Sequence, residues 1–128
     1  MDIIFKTDLP AKDEIFGFYE TMGWNGFLRL RAQELADAMA GSFYSVYAYS
    51  GGTLVATGRI VSDGIISAYA CGLGVLPEFR GQGVGAEIMN RLKAKCGEHR
   101  LHMQFFCGDA LVPYYEKLGF EVFAAGMR

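Results

Sequence analysis

Residues Arg80 to Ala86 read Arg-Gly-Gln-Gly-Val-Gly-Ala, with three glycines in five positions where a strand gives way to a helix. The start of a helix presents about four unpaired N–H groups and a partial positive charge. Glycines there let the backbone approach a ligand closely and adopt positive φ. Together these make a cradle for a phosphate. One glycine would serve an ordinary tight turn, and three at this spacing favour the cradle. Gly81-x-Gly83-x-x-Ala86 formally fits a dinucleotide fingerprint. That fingerprint belongs inside a parallel βαβ unit, with its glycines directly after the strand. Here Pro77 to Arg80 intervene, and hairpins join the preceding strands. A Walker loop needs Gly-Lys-Ser/Thr, which this chain lacks.

A second unusual feature lies just upstream. Ala68, Ala70, Gly72 and Gly74 alternate along an expected strand and make one face of very small side chains. Glycine inside a strand costs roughly 0.5–1 kcal/mol relative to alanine. Two therefore need a reason: a bare groove for a thin ligand, a closely packed helix, or a β-bulge. Titrating groups nearby are few. The stretch Ser67 to Val75 carries no carboxylate, and Leu101 to Cys107 offers only His102. A lone histidine in an apolar strand reads best as a hydrogen-bonded core residue, Asp63 as a turn aspartate and Glu78 as a solvated loop residue. Cys71, Cys96 and Cys107 fit small core positions. His99 and His102 lack a metal's full ligand set, so no metal is expected.

The elements that must hold these residues follow from periodicity. Asp2 to Lys6 reads as a strand. A helix follows Pro10, with Asp13 and Glu14 in its first turn, Ile15, Phe18, Tyr19 and Met22 on one face, and Gly23 as its stop. A second helix from about Arg31 places Ala32, Leu35, Ala36 and Met39 on one stripe and ends at Gly41. Ser42–Ser50, Thr53–Val61 and Ile65–Val75 read as an antiparallel meander, turned at Gly51-Gly52 and Ser62-Asp63-Gly64. A helix from the glycine loop to about Cys96 stops at Gly97. Leu101–Cys107 is a strand, Leu111–Leu118 a helix closed by Gly119, and Phe120–Ala125 a last strand. The order is β-α-α-β-β-β-α-β-α-β in a chain read as one domain, residues 1–128.

At these residues the sequence resembles the GCN5-related N-acetyltransferase (GNAT) superfamily. Arg80-x-x-Gly83-x-Gly85 matches its acetyl-CoA loop, and Leu73-Gly74-Val75-Leu76-Pro77 stands just before it. Tyr115-Glu116-Lys117-Leu118-Gly119-Phe120 follows about thirty residues later, in the right order. The element order extends the match over nearly the whole chain. Tyr19-x-x-x-Gly23-Trp24 and Ser62-Asp63-Gly64 look like a bacterial branch often labelled aralkylamine acetyltransferases. The resemblance implies an α/β (α+β) fold with a mixed, twisted sheet, splayed so that acetyl-CoA lies in the gap. It implies that backbone groups of Leu73, Gly74 and Val75 bond the pantetheine arm. It also implies that the stretch Arg80, Gly81, Gln82, Gly83, Val84, Gly85 and Ala86 holds the pyrophosphate.

Making an amide from a thioester needs a stabilised oxyanion, an amine freed of its proton and a departing thiolate. Backbone N–H groups near Val75 and Leu76 are candidates for the first. Tyr115 matches the family's tyrosine that protonates the thiolate. A phenol of pKa about 10 suits that task against a thiol near 8.5. Two family positions depart: Met103 stands where some relatives carry Glu, and Gly108 where a common relative carries Asn. Phe16, Phe18, Tyr19, Trp24 and Phe27 fall where the family builds its acceptor wall; most read as core, and Trp24 follows a helix stop. The expected activity is transfer of acetyl from acetyl-CoA to a primary amine, a small one, aromatic amines included. Acetylation of a protein N-terminus or lysine, and a non-catalytic acyl-CoA-binding module, are the alternatives.

Composition sets the outer bounds. The 128 residues are 52 % hydrophobic and 14 % aromatic, which excludes intrinsic disorder. A net charge of −2 argues against a nucleic-acid binder acting through bulk charge. No apolar run approaches the roughly 20 residues of a membrane span, and the first residues lack a signal-peptide layout. The cytoplasm is the expected location, with three unpaired cysteines as reduced thiols. A homodimer through a sheet edge is also expected.

Overall fold

The computed structural model describes residues 2–128. Five strands form one sheet in the order β1-β2-β3-β4-β5: β1 Ile4–Lys6, β2 Tyr44–Ser50, β3 Thr53–Ser62, β4 Ser67–Val75 and β5 His102–Gln104. The first four pair antiparallel, and β5 joins β4 in parallel, so the sheet is mixed. The turn at Gly51-Gly52 has φ of 56° and 82°, the doubly positive pair that suits a two-residue hairpin.

The helices lie on both faces. Helix α1, Lys12–Thr21, buries Ile15, Phe18 and Tyr19 at helical spacing, and Glu14 Oε1 accepts the Ala11 N–H at 3.3 Å. A short α2, Asn25–Leu28, was not foreseen from the sequence. Helix α3, Ala32–Ala40, turns Leu35, Ala36 and Met39 inward. Together α1 and α3 build one core with Tyr47 and Leu54. Helix α4, Val84–Glu98, packs Val84, Ile88, Met89, Leu92 and Cys96 on the opposite face against β2, β3 and β4. It runs through Gly97 to Glu98, and the chain turns away at Arg100, whose φ of 54° is left-handed. Helix α5, Val112–Lys117, follows a 3-10 turn at Asp109–Leu111.

Two expected strands change. Leu101–Cys107 joins the sheet only at His102–Gln104. Phe120–Ala125 forms no strand: the chain turns at Gly119 (φ 94°) and seats the Phe120 ring on Phe105 at 4.9 Å. A cavity of about 730 Å³ lies between Met103–Cys107 and the segment from Phe120 onward. A strand needs a hydrogen-bonding edge as well as propensity, and this segment makes no pairing with β5.

Close packing of helix on sheet falls at Gly58 of β3. A Cβ there would lie 2.5 Å from Ile88 Cγ2 and 3.3 Å from Leu73 Cδ1, both inside the α4 core. Overpacking of this kind typically costs about 1–3 kcal/mol. Gly58→Ala is therefore expected to destabilise the fold by about 1–3 kcal/mol in urea unfolding. An unchanged midpoint would mean that α4 is free to lift off the sheet.

Candidate functional site

The site begins where β4 and β5 part. Their pairing covers only Ser67, Ala68 and Tyr69, opposite His102, Met103 and Gln104. Strand β4 continues to Val75 along β3, so from Ala70 onward its outer edge has no strand partner. The backbone groups of that edge have no strand partner, and the Val75 carbonyl at its end accepts from Arg80. Leu76 offers less, because its N–H donates to the Val55 carbonyl at 2.9 Å. An oxyanion role for the Leu76 N–H is thereby ruled out in this arrangement.

The free edge leads through a 3-10 turn at Pro77–Phe79 to the glycine loop at the head of α4. Gly81 and Gly83 have φ of 75° and 82°, and a Cβ at either would meet nothing within 4 Å. Glycine is needed there for the dihedral and not for space. Gln82 is exposed, and its amide nitrogen donates to the Glu78 carbonyl at 3.3 Å. Val84 is buried and anchors the helix, while Gly85 and Ala86 lie in its first turn. Arg80 turns back: its Nε donates to the Val75 carbonyl at 2.9 Å and ties the loop to the end of β4.

The small-residue face does not survive as one face. The pairing slips between Thr57 and Arg59, with three β4 steps from Cys71 to Gly74 against two on β3. Gly72 sits in this bulge with φ of 62°. Ala68 and Ala70 pack into the α4 core. Gly72 and Gly74 point to the opposite face, toward α1. A Cβ at Gly72 would lie 3.4 Å from the Tyr19 hydroxyl and 3.4 Å from Arg59 Nε. One at Gly74 would lie 2.6 Å from Trp24 Cζ2 and 2.9 Å from Met22 Cε. Trp24 therefore rests on the bare backbone of Gly74, held edge-on by Phe18 and Tyr19 at 5.9 and 5.0 Å. Asn25 fixes the segment behind it: its amide donates to the Leu30 carbonyl at 2.9 Å and accepts the Leu30 N–H at 2.8 Å.

Helix α5 carries Tyr114 and Tyr115. The Tyr114 hydroxyl lies 3.4 Å from where a Cβ of Gly85 would be, so it reaches the head of α4. Tyr115 is half-buried, packed on Phe105 at 4.7 Å, and lines the cavity beyond β5. Burial first, then Tyr114 and Cys107, push the Tyr115 phenol above its ordinary value. Burial alone does the same for Tyr114. Sequence register singled out Tyr115 and gave no sign that Tyr114 also reaches the loop.

The other candidate groups separate. His102 pairs with Ser67 at the closed end of β4, seven residues from Gly74, or ~23 Å along the strand. Asp63 accepts the N–H groups of Ile65, Ile66 and Ser67, which hold its carboxyl below the ordinary range and make it a turn residue. Burial pushes the Cys71 thiol up, so it stays protonated at neutral pH. Phe27 is exposed, away from the Phe18–Tyr19–Trp24 cluster. Arg59 was not foreseen. It lies on the α1 face beside Tyr19, Cys71 and Gly72. The one cue was a charged residue on the inward alternation of an apolar strand.

The chain matches the Acetyltransferase (GNAT) family model over residues 8–120, and it belongs to that family. Such enzymes use acetyl-CoA. No curated protein matches the sequence. Among solved structures, a protein from Deinococcus radiodurans proposed as an acetyltransferase is 28 % identical, with a TM-score of 0.81 over 99 % of this chain and 87 % of its own. A GNAT-family acetyltransferase from Streptococcus pneumoniae superposes with a TM-score of 0.79 at 24 % identity, covering 99 % and 96 %. An acetyltransferase from Clostridium acetobutylicum, described with acetyl-CoA, shares the fold at 14 % identity and a TM-score of 0.71, covering 99 % and 95 %. Among the described residues no helix is long and apolar enough to cross a membrane.

Trp24 is the chain's single tryptophan, so its emission reports directly on this opening. Gly74→Ala puts a methyl group against the indole and is expected to displace it. A red-shifted emission maximum would record the exposure. An unshifted spectrum would mean that Trp24 does not rest on Gly74 in solution.

Proposed function

We propose that this chain transfers an acetyl group from acetyl-CoA to a primary amine of a small molecule, residues 1–128 acting as one N-acetyltransferase domain. The supporting observation is the free edge of β4, which ends against a helix start opened by positive-φ glycines. An extended arm and a pyrophosphate need those two things side by side. Acetyl-CoA supplies an acyl group already activated as a thioester. In this reading, edge groups of Leu73, Gly74 and Val75 bond the pantetheine arm. The backbone from Gly81 through Gln82, Gly83, Val84 and Gly85 to Ala86 takes the pyrophosphate, with the helix dipole behind it. Arg80 acts by fixing that loop to Val75, and its exposed charge favours an anion nearby.

Tyr115 serves as the acid that protonates the departing thiolate. A phenol pushed upward by burial is still protonated at neutral pH, as an acid must be. The sign follows: activity that depends on this proton is lost only as pH rises above the ordinary phenol value of about 10. Tyr114 competes for the role because its hydroxyl reaches Gly85. The partly exposed indole of Trp24, backed by the buried Phe18 and Tyr19, supports a small acceptor, and the aromatic-amine branch that the sequence resembles fits it.

Titration calorimetry with acetyl-CoA, with NAD as control, is the primary test, followed by thiol release with a panel of amines. Acetyl-CoA binding without a response to NAD is expected. Tyr115→Phe is expected to keep that binding and lose turnover on the order of a hundredfold. If Tyr114→Phe loses it instead, the acid is Tyr114. Absence of acetyl-CoA binding overturns the reading. Binding with no acceptor turned over indicates the non-catalytic module, and turnover of peptides alone indicates a protein acetyltransferase.

A further inference from the structure

Arg59 is a permanent cation on the inner face of the sheet with no anionic partner. It belongs to none of the ion pairs among the described residues, which join Arg31–Glu34, Arg91–Glu87 and Lys95–Glu98 on the surface. Its Nη1 donates to Ser42 Oγ at 3.2 Å, and its Nε is buried with no hydrogen-bond partner. The titratable groups around it are Tyr19, Tyr47 and Cys71. Burial holds all three above their ordinary values, so each is neutral at neutral pH and none balances the charge. A guanidinium partly withdrawn from water, with its Nε buried and no anion beside it, is costly.

Its position gives that cost a use. Arg59 Nε and the Tyr19 hydroxyl converge on the bare backbone of Gly72, two residues before Gly74. The separation along β4 is ~7 Å. On the same face, Tyr69 is exposed and Cys71 partly so, and Arg59 itself is partly open to solvent. The unpaired guanidinium thus lies beside the stretch of β4 whose outer edge is free. A short molecule with an amine at one end spans from the proposed thioester to Arg59 with its other end.

We propose that Arg59 is the anion-recognition group of the acceptor site, so that the accepted amine carries a carboxylate or a phosphate a few bonds away. The inference rests on the acetyltransferase reading and narrows its substrate class. Arginine suits the task because its planar fork meets either oxyanion in a bidentate way. An arginine with a purely structural role, tying Ser42 to the sheet, would leave acceptor charge without effect.

The test uses product-like probes on the CoA-loaded protein, so it needs no turnover. N-acetylglycine is compared with N-acetylglycinamide, and O-phospho-N-acetylethanolamine with N-acetylethanolamine, by NMR titration. Hydrogen bonds to a charged group lead us to expect the anionic member of one pair to bind about tenfold or more tightly than its neutral partner. The pair that shows the preference tells carboxylate from phosphate. Arg59→Gln is expected to erase the preference and leave CoA affinity intact, with Arg59→Lys keeping part of it. Equal binding within both pairs, which needs no variant to observe, overturns the proposal. So does a preference that survives in Arg59→Gln. Failure of the protein to bind CoA at all would instead strike the acetyltransferase reading beneath it.

Discussion

The left-handed turn of Gly72 inside β4 is the constraint on which the opening depends. An L residue held at such a φ is strained by roughly 1–2 kcal/mol, and glycine is not. The bulge is pinned from the neighbouring strand, where the Thr57 hydroxyl donates to the Gly72 carbonyl at 2.9 Å. A bulge bends its strand and increases the local twist. Here it lies within the stretch of β4 that has left β5, three residues past Tyr69, the last residue paired to that strand. β5 ends at Gln104, so beyond Tyr69 only β3 accompanies β4 through the bend.

The same bulge decides what faces the opening. It exchanges the sides of β4, so alanines upstream meet α4 and glycines downstream meet α1. Gly74 then allows Trp24 to lie directly on the backbone, and Gly72 allows Tyr19 and Arg59 to meet there. The segment after α1 can hold Trp24 in place because Asn25, itself buried, closes two hydrogen bonds with Leu30. Three layers of the fold thus converge on four residues of one strand.

The sequence made these parts legible to different degrees. The glycine loop, the meander and the two amphipathic helices were readable, because each rests on local chemistry: positive φ at Gly81 and Gly83, a Gly51-Gly52 turn, apolar residues at helical spacing. Gly72 and Gly74 were recognisable as needing a reason, and a bulge was among those offered. Strict alternation nevertheless put them on the face of Ala68 and Ala70, since period-2 counting fails by one across a bulge. Phe120–Ala125 failed for a different reason. Its strand propensity is real, but pairing is decided by a distant edge, and Phe120 instead packs on Phe105 and Tyr115. Tyr114 and Arg59 were invisible because their significance lies in what stands opposite them in space, Gly85 for one and Gly72 for the other.

The charge pattern of the opening also bears on which amines it admits. Strands β4 and β5 carry no carboxylate, so a simple ammonium finds no counterion on the sheet. It finds Arg59. Like charges sharing a partly desolvated opening repel, which disfavours the protonated amine. An acceptor bringing its own anion removes that repulsion by pairing with the guanidinium. An unaccompanied cation cannot. Arg59 thus discriminates twice, by attracting the anion and by repelling amines that lack one, and repulsion of this kind is how specificity exceeds what attraction alone provides. For the amine that does enter, the apolar indole of Trp24 works in the same direction, since desolvation favours the uncharged, nucleophilic form. A site built this way selects its acceptor and weakens that acceptor's hold on its proton without a carboxylate base on the strands.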